Sequence, residues 1–270
     1  RSVTFNNAVD TIDDIAFAYC SALEEVSFHS SVRVIGSLAF GFCQSLTSFY
    51  IPAGVEEIGE NAFGACTSLT DVTISKDAKL STIGQGVFAD VSGLTSFTLE
   101  SGAKYLSVQD GILYDKGMRE VKLVPSGYTG SIVLPDGVTE VGAYAFSSIA
   151  GVTSVDLNDV ENIGTGAFYQ FGGTNGVTVT AGDALRTIGD SAFMRSTITR
   201  LVLPEGVESV GTGAFSYCTS LADAELVLPE SLSYVGAEAF AYTSGITGVT
   251  FNSALTKVSD YMFYNSADLA

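Results

Sequence analysis

Apolar positions recur along this chain with a period much longer than a helical turn or a strand alternation. The dipeptide Ala-Phe, or a close variant, places phenylalanine at Phe17, Phe40, Phe63, Phe88, Phe146, Phe168, Phe193, Phe215, Phe240 and Phe263. The successive spacings are 23, 23, 25, 58, 22, 25, 22, 25 and 23 residues. Four residues before most of these stands a glycine, as at Gly36, Gly59, Gly84, Gly142, Gly164, Gly189, Gly211 and Gly236, each preceded by Ile or Val. A second block follows the Phe and alternates apolar with polar residues, as in Leu46-Thr-Ser-Phe49-Tyr-Ile51-Pro52. The consensus unit is L-x-x-V-x-I-P-x-x-V-x-x-I-G-x-x-A-F-x-x-C/S-x-x. Self-similarity at such a period is the mark of a solenoid, in which no unit can bury its apolar edge alone.

Each part of the unit predicts an element. V-x-I has strand periodicity. Pro52, Pro204 and Pro229 end it, because proline cannot donate to a sheet ladder. The V-x-x-I stretch reads as a second short extended segment. The glycine after it is expected to allow a tight change of direction. The x-x-A-F-x-x-C stretch reads as a single helical turn with Ala and Phe inward. Residues 100–135 depart from the pattern. Leu106-Ser-Val108 resembles the usual second strand, but no Ala-Phe follows. Instead two apolar runs, 111–114 and 121–124, flank Asp115-Lys116-Gly117 and predict a β-hairpin.

These residues resemble those of the BspA-like leucine-rich-repeat proteins of bacterial surfaces. The resemblance rests on I-G-x-x-A-F-x-x-C, L-x-x-V-x-I-P and the inserted segment Asp110–Lys116, and it covers nearly the whole chain. It implies an α/β-type repeat solenoid: a right-handed coil of about eleven 22–25-residue repeats, with a parallel sheet on one side and short helical turns on the other. One hairpin, at about 104–128, interrupts a single domain spanning 1–270. The resemblance also implies extracellular or cell-surface exposure and adhesion to host or matrix proteins. It carries no catalytic motif, so an enzyme is not expected. Matched repeat residues transfer the fold more firmly than the function. Val3-Thr-Phe5 resembles the end of a strand and Ala267-Asp-Leu269 the start of one, so a fragment of a longer protein is expected.

Composition narrows the partners. Apolar residues make up 46% of the 270 residues, enough for a large core. Thirty acidic and twelve basic residues give a net charge of −18. That balance opposes nucleic acid and anionic lipid surfaces. No apolar run approaches the length of a membrane span, so no insertion by this segment is expected.

Candidate chemistry is sparse. Cys20, Cys43, Cys66 and Cys218 each lie three residues after a repeat Phe. They could form a disulfide or metal cluster. Other repeats carry Val91, Ile149, Phe171, Ser196, Thr243 or Ser266 there, which favours a column of buried thiols. No metal or cofactor is expected. His29, the single histidine, reads as a solvated loop residue. The pairs Asp13-Asp14, Glu24-Glu25 and Glu56-Glu57 could serve acid–base chemistry in a cleft. On a smooth solenoid they read instead as a solvated acidic surface.

The expected binding face is formed by outward strand positions: Glu25, Ser48, Tyr50, Asp71, Thr73, Ser154, Asp156 and Arg200. Thr and Ser are also simply good exposed strand residues. A secondary candidate is the hairpin region, with Tyr105, Tyr114 and Tyr128, which could take a glycan. A further row lies two positions after the Phe, at Tyr19, Phe42, Tyr217 and Tyr242. These rings either meet a partner or lie over the turn and shield it. The favoured reading is a non-enzymatic recognition module that binds protein ligands. Its rivals are a structural spacer displaying other domains and a glycan-binding module.

Overall fold

A computed structural model describes residues 1–28, 31–222 and 224–269. The reading of His29 lies outside the described residues. The chain folds as two compact units, Arg1–Tyr128 and Thr129–Ala270. Both are stacks of coils, and both use the same cross-section.

In the first unit the V-x-I segments form Ser48–Ile51, Asp71–Ile74 and Phe97–Leu99, paired parallel and in register: Phe49 opposite Val72 opposite Phe97. Ser2–Thr4 pairs in the same manner with Glu25–Ser27. The V-x-x-I segments form a second parallel sheet of two-residue strands, Thr11–Ile12, Val34–Ile35, Glu57–Ile58 and Thr82–Ile83. The second unit repeats the plan. Gly130–Val133, Val152–Asp156 and Thr178–Thr180 form one parallel sheet, and Ala224–Val227 pairs with Ile246–Thr250. Glu140–Val141, Asn162–Ile163, Thr187–Ile188, Ser209–Val210 and Tyr234–Val235 form the short-stranded sheet. The expected sheet on one side is thus two sheets on two sides.

The expected helical turns are absent: the described residues contain no helix. The Ala-Phe segment is a run of tight turns that also pairs between coils. The amides of Ala39, Gly41 and Cys43 donate to carbonyls three residues back, at Gly36, Leu38 and Phe40. The alternate amides of Leu38, Phe40 and Phe42 donate instead to Glu60, Ala62 and Gly64 of the next coil, each at 2.8 Å. A helix would keep every one of these bonds within its own segment. The alternation requires left-handed backbone two residues before and two after each Phe, as at Leu38 (φ 54°) and Phe42 (φ 62°). Such φ values cost a non-glycine residue roughly 1–2 kcal/mol. They persist because the stack fixes them from both sides.

The core sits between the three sides. Ile35, Ile58, Val72 and Ile74 are at most 1% exposed. The phenylalanines form a continuous column within each unit. Phe17, Phe40, Phe63 and Phe88 follow one another with ring centroids 5.3–5.5 Å apart, and Phe146 to Phe263 do so at 4.7–5.4 Å. The repeat glycines have a different role from the one expected. Gly36, Gly59, Gly84, Gly164, Gly189, Gly211 and Gly236 do not have positive φ. They lie against the backbone of the preceding coil, where a Cβ would stand 2.4–2.9 Å from the nearest atom.

The irregular segment is a three-stranded antiparallel meander, Leu106–Gln109, Ile112–Asp115 and Glu120–Leu123. The hairpin expected around Asp115-Lys116-Gly117 forms. Leu106–Val108, expected to be a second solenoid strand, belongs instead to the first hairpin. Its turn, Asp110-Gly111, has φ of 52° and 79°. Positive φ at both central residues is what a two-residue hairpin turn needs, and Asp-Gly supplies it cheaply. The Asp115 carboxylate accepts the amides of Arg119 and Glu120 at 2.6 and 2.8 Å, fixing the second turn.

Candidate interaction surfaces

Three sets of exposed side chains stand on this scaffold. In the first unit, sheet pairing sets Ser48 beside Asp71, and Thr73 between Tyr50 and Thr98. Phe49, Ile51, Val72 and Ile74 point inward, so pleat alternation turns the others outward. Ser48, Tyr50 and Asp71 are exposed and Thr73 is half-buried. The Tyr50 hydroxyl donates to Glu100 Oε1 at 3.2 Å. Glu100 Oε2 accepts Ser75 Oγ at 3.2 Å and the Lys76 amide at 3.0 Å. The Lys76 amide is the main reason that the Glu100 carboxyl lies below its usual range. Partial burial pushes the Tyr50 phenol up. The ring of Tyr50 is therefore available to a partner while its hydroxyl is already engaged. Glu25 is exposed opposite Ser2, in the separate pairing of Ser2–Thr4 with Glu25–Ser27.

In the second unit Ser154 lies between Ser131 and Thr178, and Asp156 between Val133 and Thr180. Ser154 Oγ donates to Ser131 Oγ at 2.8 Å. Arg200 was expected at an outward strand position. It is exposed, but residues 199–202 form no strand, and the pairing of that coil is the isolated bridge Val177–Ile198 with the backbone bonds around it. Leu201 and Leu203 there border an apolar hole of about 30 Å³. The structure thus brings Ser154 and Asp156 together but does not add Arg200 to their sheet.

The hairpin tyrosines separate. Tyr105 is 46% exposed and Tyr128 is half-buried, whereas Tyr114 is 1% exposed. Burial pushes the Tyr114 phenol up to about 12. Tyr114 is a core residue with no surface to offer a glycan. Its alternation with Ile112 and Leu113 carried no polar position to reveal a solvent side.

The third set is aromatic. Tyr19 stacks on Phe42 at 4.5 Å in the first unit. In the second unit Tyr217 stacks on Tyr242 at 4.4 Å, Tyr264 meets Tyr242 edge-on at 5.3 Å, and Tyr261 meets Tyr264 edge-on at 5.5 Å. The Arg195 guanidinium lies over Tyr217, 5.3 Å from the ring centre. These rings shield one another and still reach solvent.

Two arrangements went unnoticed in the sequence although same-column spacing carried a signal for one. Glu56 receives Arg33 Nη2 and Lys79 Nζ, both at 2.8 Å and both 23 residues away. These bonds, that from Lys79 first, lower the Glu56 carboxyl to about 2. The Glu100 hub has no such regularity. Glu24, of another acidic pair, binds the terminal amino group of Arg1 at 2.7 Å. The cysteine column is buried at Cys43, Cys66 and Cys218, but Cys20 is exposed. Among the described residues no group of three His, Cys, Asp or Glu could hold a metal ion.

The comparisons with known proteins agree with this architecture. Solved structures similar to the chain include the pneumococcal vaccine antigen PcpA, with a TM-score of 0.63 and 21% identity over 99% of this chain. The match covers 66% of that antigen's chain. A leucine-rich repeat protein from Eubacterium ventriosum gives 0.64 and 22% identity, covering 98% of this chain and 76% of the other. A leucine rich cell surface protein from Faecalibacterium prausnitzii gives 0.56 and 21%, covering 100% and 77%. At such identities the likeness is one of fold. No curated protein matches the chain in sequence. The family model of the BspA type leucine rich repeat region matches in six copies over residues 1–113, 128–175 and 139–270, so the chain belongs to the BspA-type leucine-rich-repeat family.

Proposed function

We propose that this chain is a non-enzymatic recognition module of a cell surface, binding protein ligands through its larger sheets. The observation that carries the reading is the column structure of the first unit. Ser48 and Asp71, and Tyr50, Thr73 and Thr98, stand side by side on in-register strands whose inward residues are locked in the core. A rigid array of that kind offers a broad surface at little conformational cost to an extended protein partner. The cell-surface and antigen descriptions of the similar structures support the location. A host or matrix protein is the favoured partner class. A spacer should carry a monotonous face, and the exposed Tyr50 and Asp71 interrupt it. The glycan reading loses one of its rings with the burial of Tyr114.

The test is binding of the purified chain to a panel of matrix and plasma proteins in physiological salt. Saturable binding that a Tyr50→Ala, Asp71→Ala, Asp156→Ala variant loses supports the sheet face. A folded protein that binds nothing in the panel would turn the reading toward a spacer.

A further inference from the structure

A second surface in the Thr129–Ala270 unit points to a particular kind of partner. Its ladder edge carries Tyr217, Tyr242, Tyr264 and Tyr261, with Arg195 closing one end. Tyr217 is 37%, Tyr264 52% and Tyr261 65% exposed. Three of these tyrosines violate a local rule. Tyr217, Tyr242 and Tyr261 have φ of 61°, 56° and 55°. Bulky side chains are outliers in left-handed backbone. The same backbone recurs at the equivalent positions of the other coils, as at Tyr144, Gln170 and Arg195, so it belongs to the turn ladder as a whole.

The geometry selects among ligands. Tyr217 and Tyr242 cover each other's faces, with ring planes 8° apart, and Arg195 covers Tyr217 further. That leaves ring edges and phenols, which suits sugar stacking poorly. Loss of water around it, and then the neighbouring phenols of Tyr217 and Tyr264, push the Tyr242 phenol up. The row is thus a ridge of phenolic donors. A polyproline II strand is the natural complement, since it has no internal hydrogen bonds and leaves its carbonyls free. Successive rings of the row stand 4.4 and 5.3 Å apart. The charges fit a basic version. Glu238 and Asp260 are exposed beside the row, and Thr129–Ala270 holds 15 acidic and 4 basic residues.

We propose that Tyr217, Tyr242, Tyr264 and Tyr261, bordered by Glu238 and Asp260, form a docking surface for a basic, proline-rich protein segment in the polyproline II conformation. Docked aromatic grooves elsewhere take such segments because the ligand is already ordered before binding. This surface is distinct from the sheet face, and either can fail without the other.

The test uses the intact chain and a fluorescent synthetic peptide of Lys-Pro-Pro repeats, followed by anisotropy in physiological salt. A Lys-Gly-Gly peptide of equal length and charge is the control. Saturable binding of the proline peptide is expected, with the control weaker by about tenfold or more. Tyr217→Ala with Tyr242→Ala should weaken binding about tenfold or more. Tyr217→Phe with Tyr242→Phe keeps the stack, removes the donors and should weaken it several-fold, which guards against a misfolded alanine variant. Tyr50→Ala should leave it unchanged. No saturable binding, equal binding of both peptides, or unchanged binding by the phenylalanine variant would overturn the proposal. So would self-association abolished by the Tyr217 and Tyr242 substitutions, which would give the row to a second copy.

Discussion

A β-carbon on Gly59 would stand 2.5 Å from the backbone nitrogen of Ser37, one coil earlier, and 2.7 Å from the carbonyl carbon of Gly36. The repeat glycine is therefore an inter-coil contact and not a bend. Gly59→Ala should cost at least the upper part of the ~1–3 kcal/mol range of overpacked cores. Gly102 has φ of 79° and open space around it. Gly102→Ala should cost only the ~1–2 kcal/mol of a left-handed alanine. Urea denaturation midpoints compare the two, and equal costs would refute the contact argument.

Phe146 is fully buried and stacks on Phe168 at 4.7 Å, with Phe171 edge-on at 5.8 Å. Backbone bonds on both sides of the coil restrict collapse around a truncation. Phe146→Ala should lower stability by ~3–5 kcal/mol. A drop below about 1 kcal/mol in a chemical melt would contradict the idea of a continuous column.

In several coils the cysteine position holds a small donor that reaches the preceding coil. Cys66 Sγ donates to the Phe40 carbonyl at 3.1 Å, Cys218 Sγ to Phe193 at 3.1 Å, and Ser266 Oγ to Phe240 at 2.7 Å. Burial pushes the thiols of Cys43, Cys66 and Cys218 up to about 12, 11 and 12. Because the thiolate is the nucleophile, these three should be inert. Iodoacetamide under native, mildly alkaline conditions should modify Cys20 alone, as read by mass spectrometry. Labelling of Cys66 at the rate of Cys20 would count against the buried column. Cys66→Ser should cost less than about 1.5 kcal/mol, because the hydroxyl can make the same bond.

Glu56 joins three coils through Arg33 and Lys79. Its carboxyl is lowered to about 2 from an ordinary 4.5, so the unfolded chain takes up the proton first. The contribution is complete above the ordinary value and is lost as pH falls from 4.5 toward 2. The stability difference between the protein and Glu56→Gln should be constant near neutrality and close over that window in low salt. It should shrink in high salt, because the paired side chains are 62% and 51% exposed. A difference that does not change with pH would remove the ion pairs from the account.

Much of the fold was legible because stacking forces each coil to repeat the residues that bury. Phe40 and Phe63, Ile35 and Ile58, and Phe49 and Val72 occupy the same places in successive units, and each points into the core. The Ala-Phe segment was misread because a row of tight turns and one turn of helix share the same short spacing. Only the destination of alternate amides tells them apart, and that is a property of the neighbouring coil. Arg200 is exposed as expected, but not on a strand. Its coil matches the consensus, yet the described pairing there is the isolated bridge Val177–Ile198, and residues 199–202 are not a strand. Tyr50 and Asp71 fell on the outward face as alternation required. The engagement of Tyr50 with Glu100, two coils away, could not be read from either residue's own repeat.

The turn ladder has one more consequence. Wherever its bonds run between coils, as from Leu38 to Glu60, Tyr144 to Thr165 and Tyr217 to Ala241, the earlier coil gives the N–H and the later one the C=O. In an ordinary sheet, strand dipoles largely cancel. Here the peptides of each row point the same way, as in a helix laid on its side. Each ladder is therefore a head-to-tail array with a sense of direction. A coil presents acceptors to one neighbour and donors to the other, so coils can be added to such a stack in one orientation only.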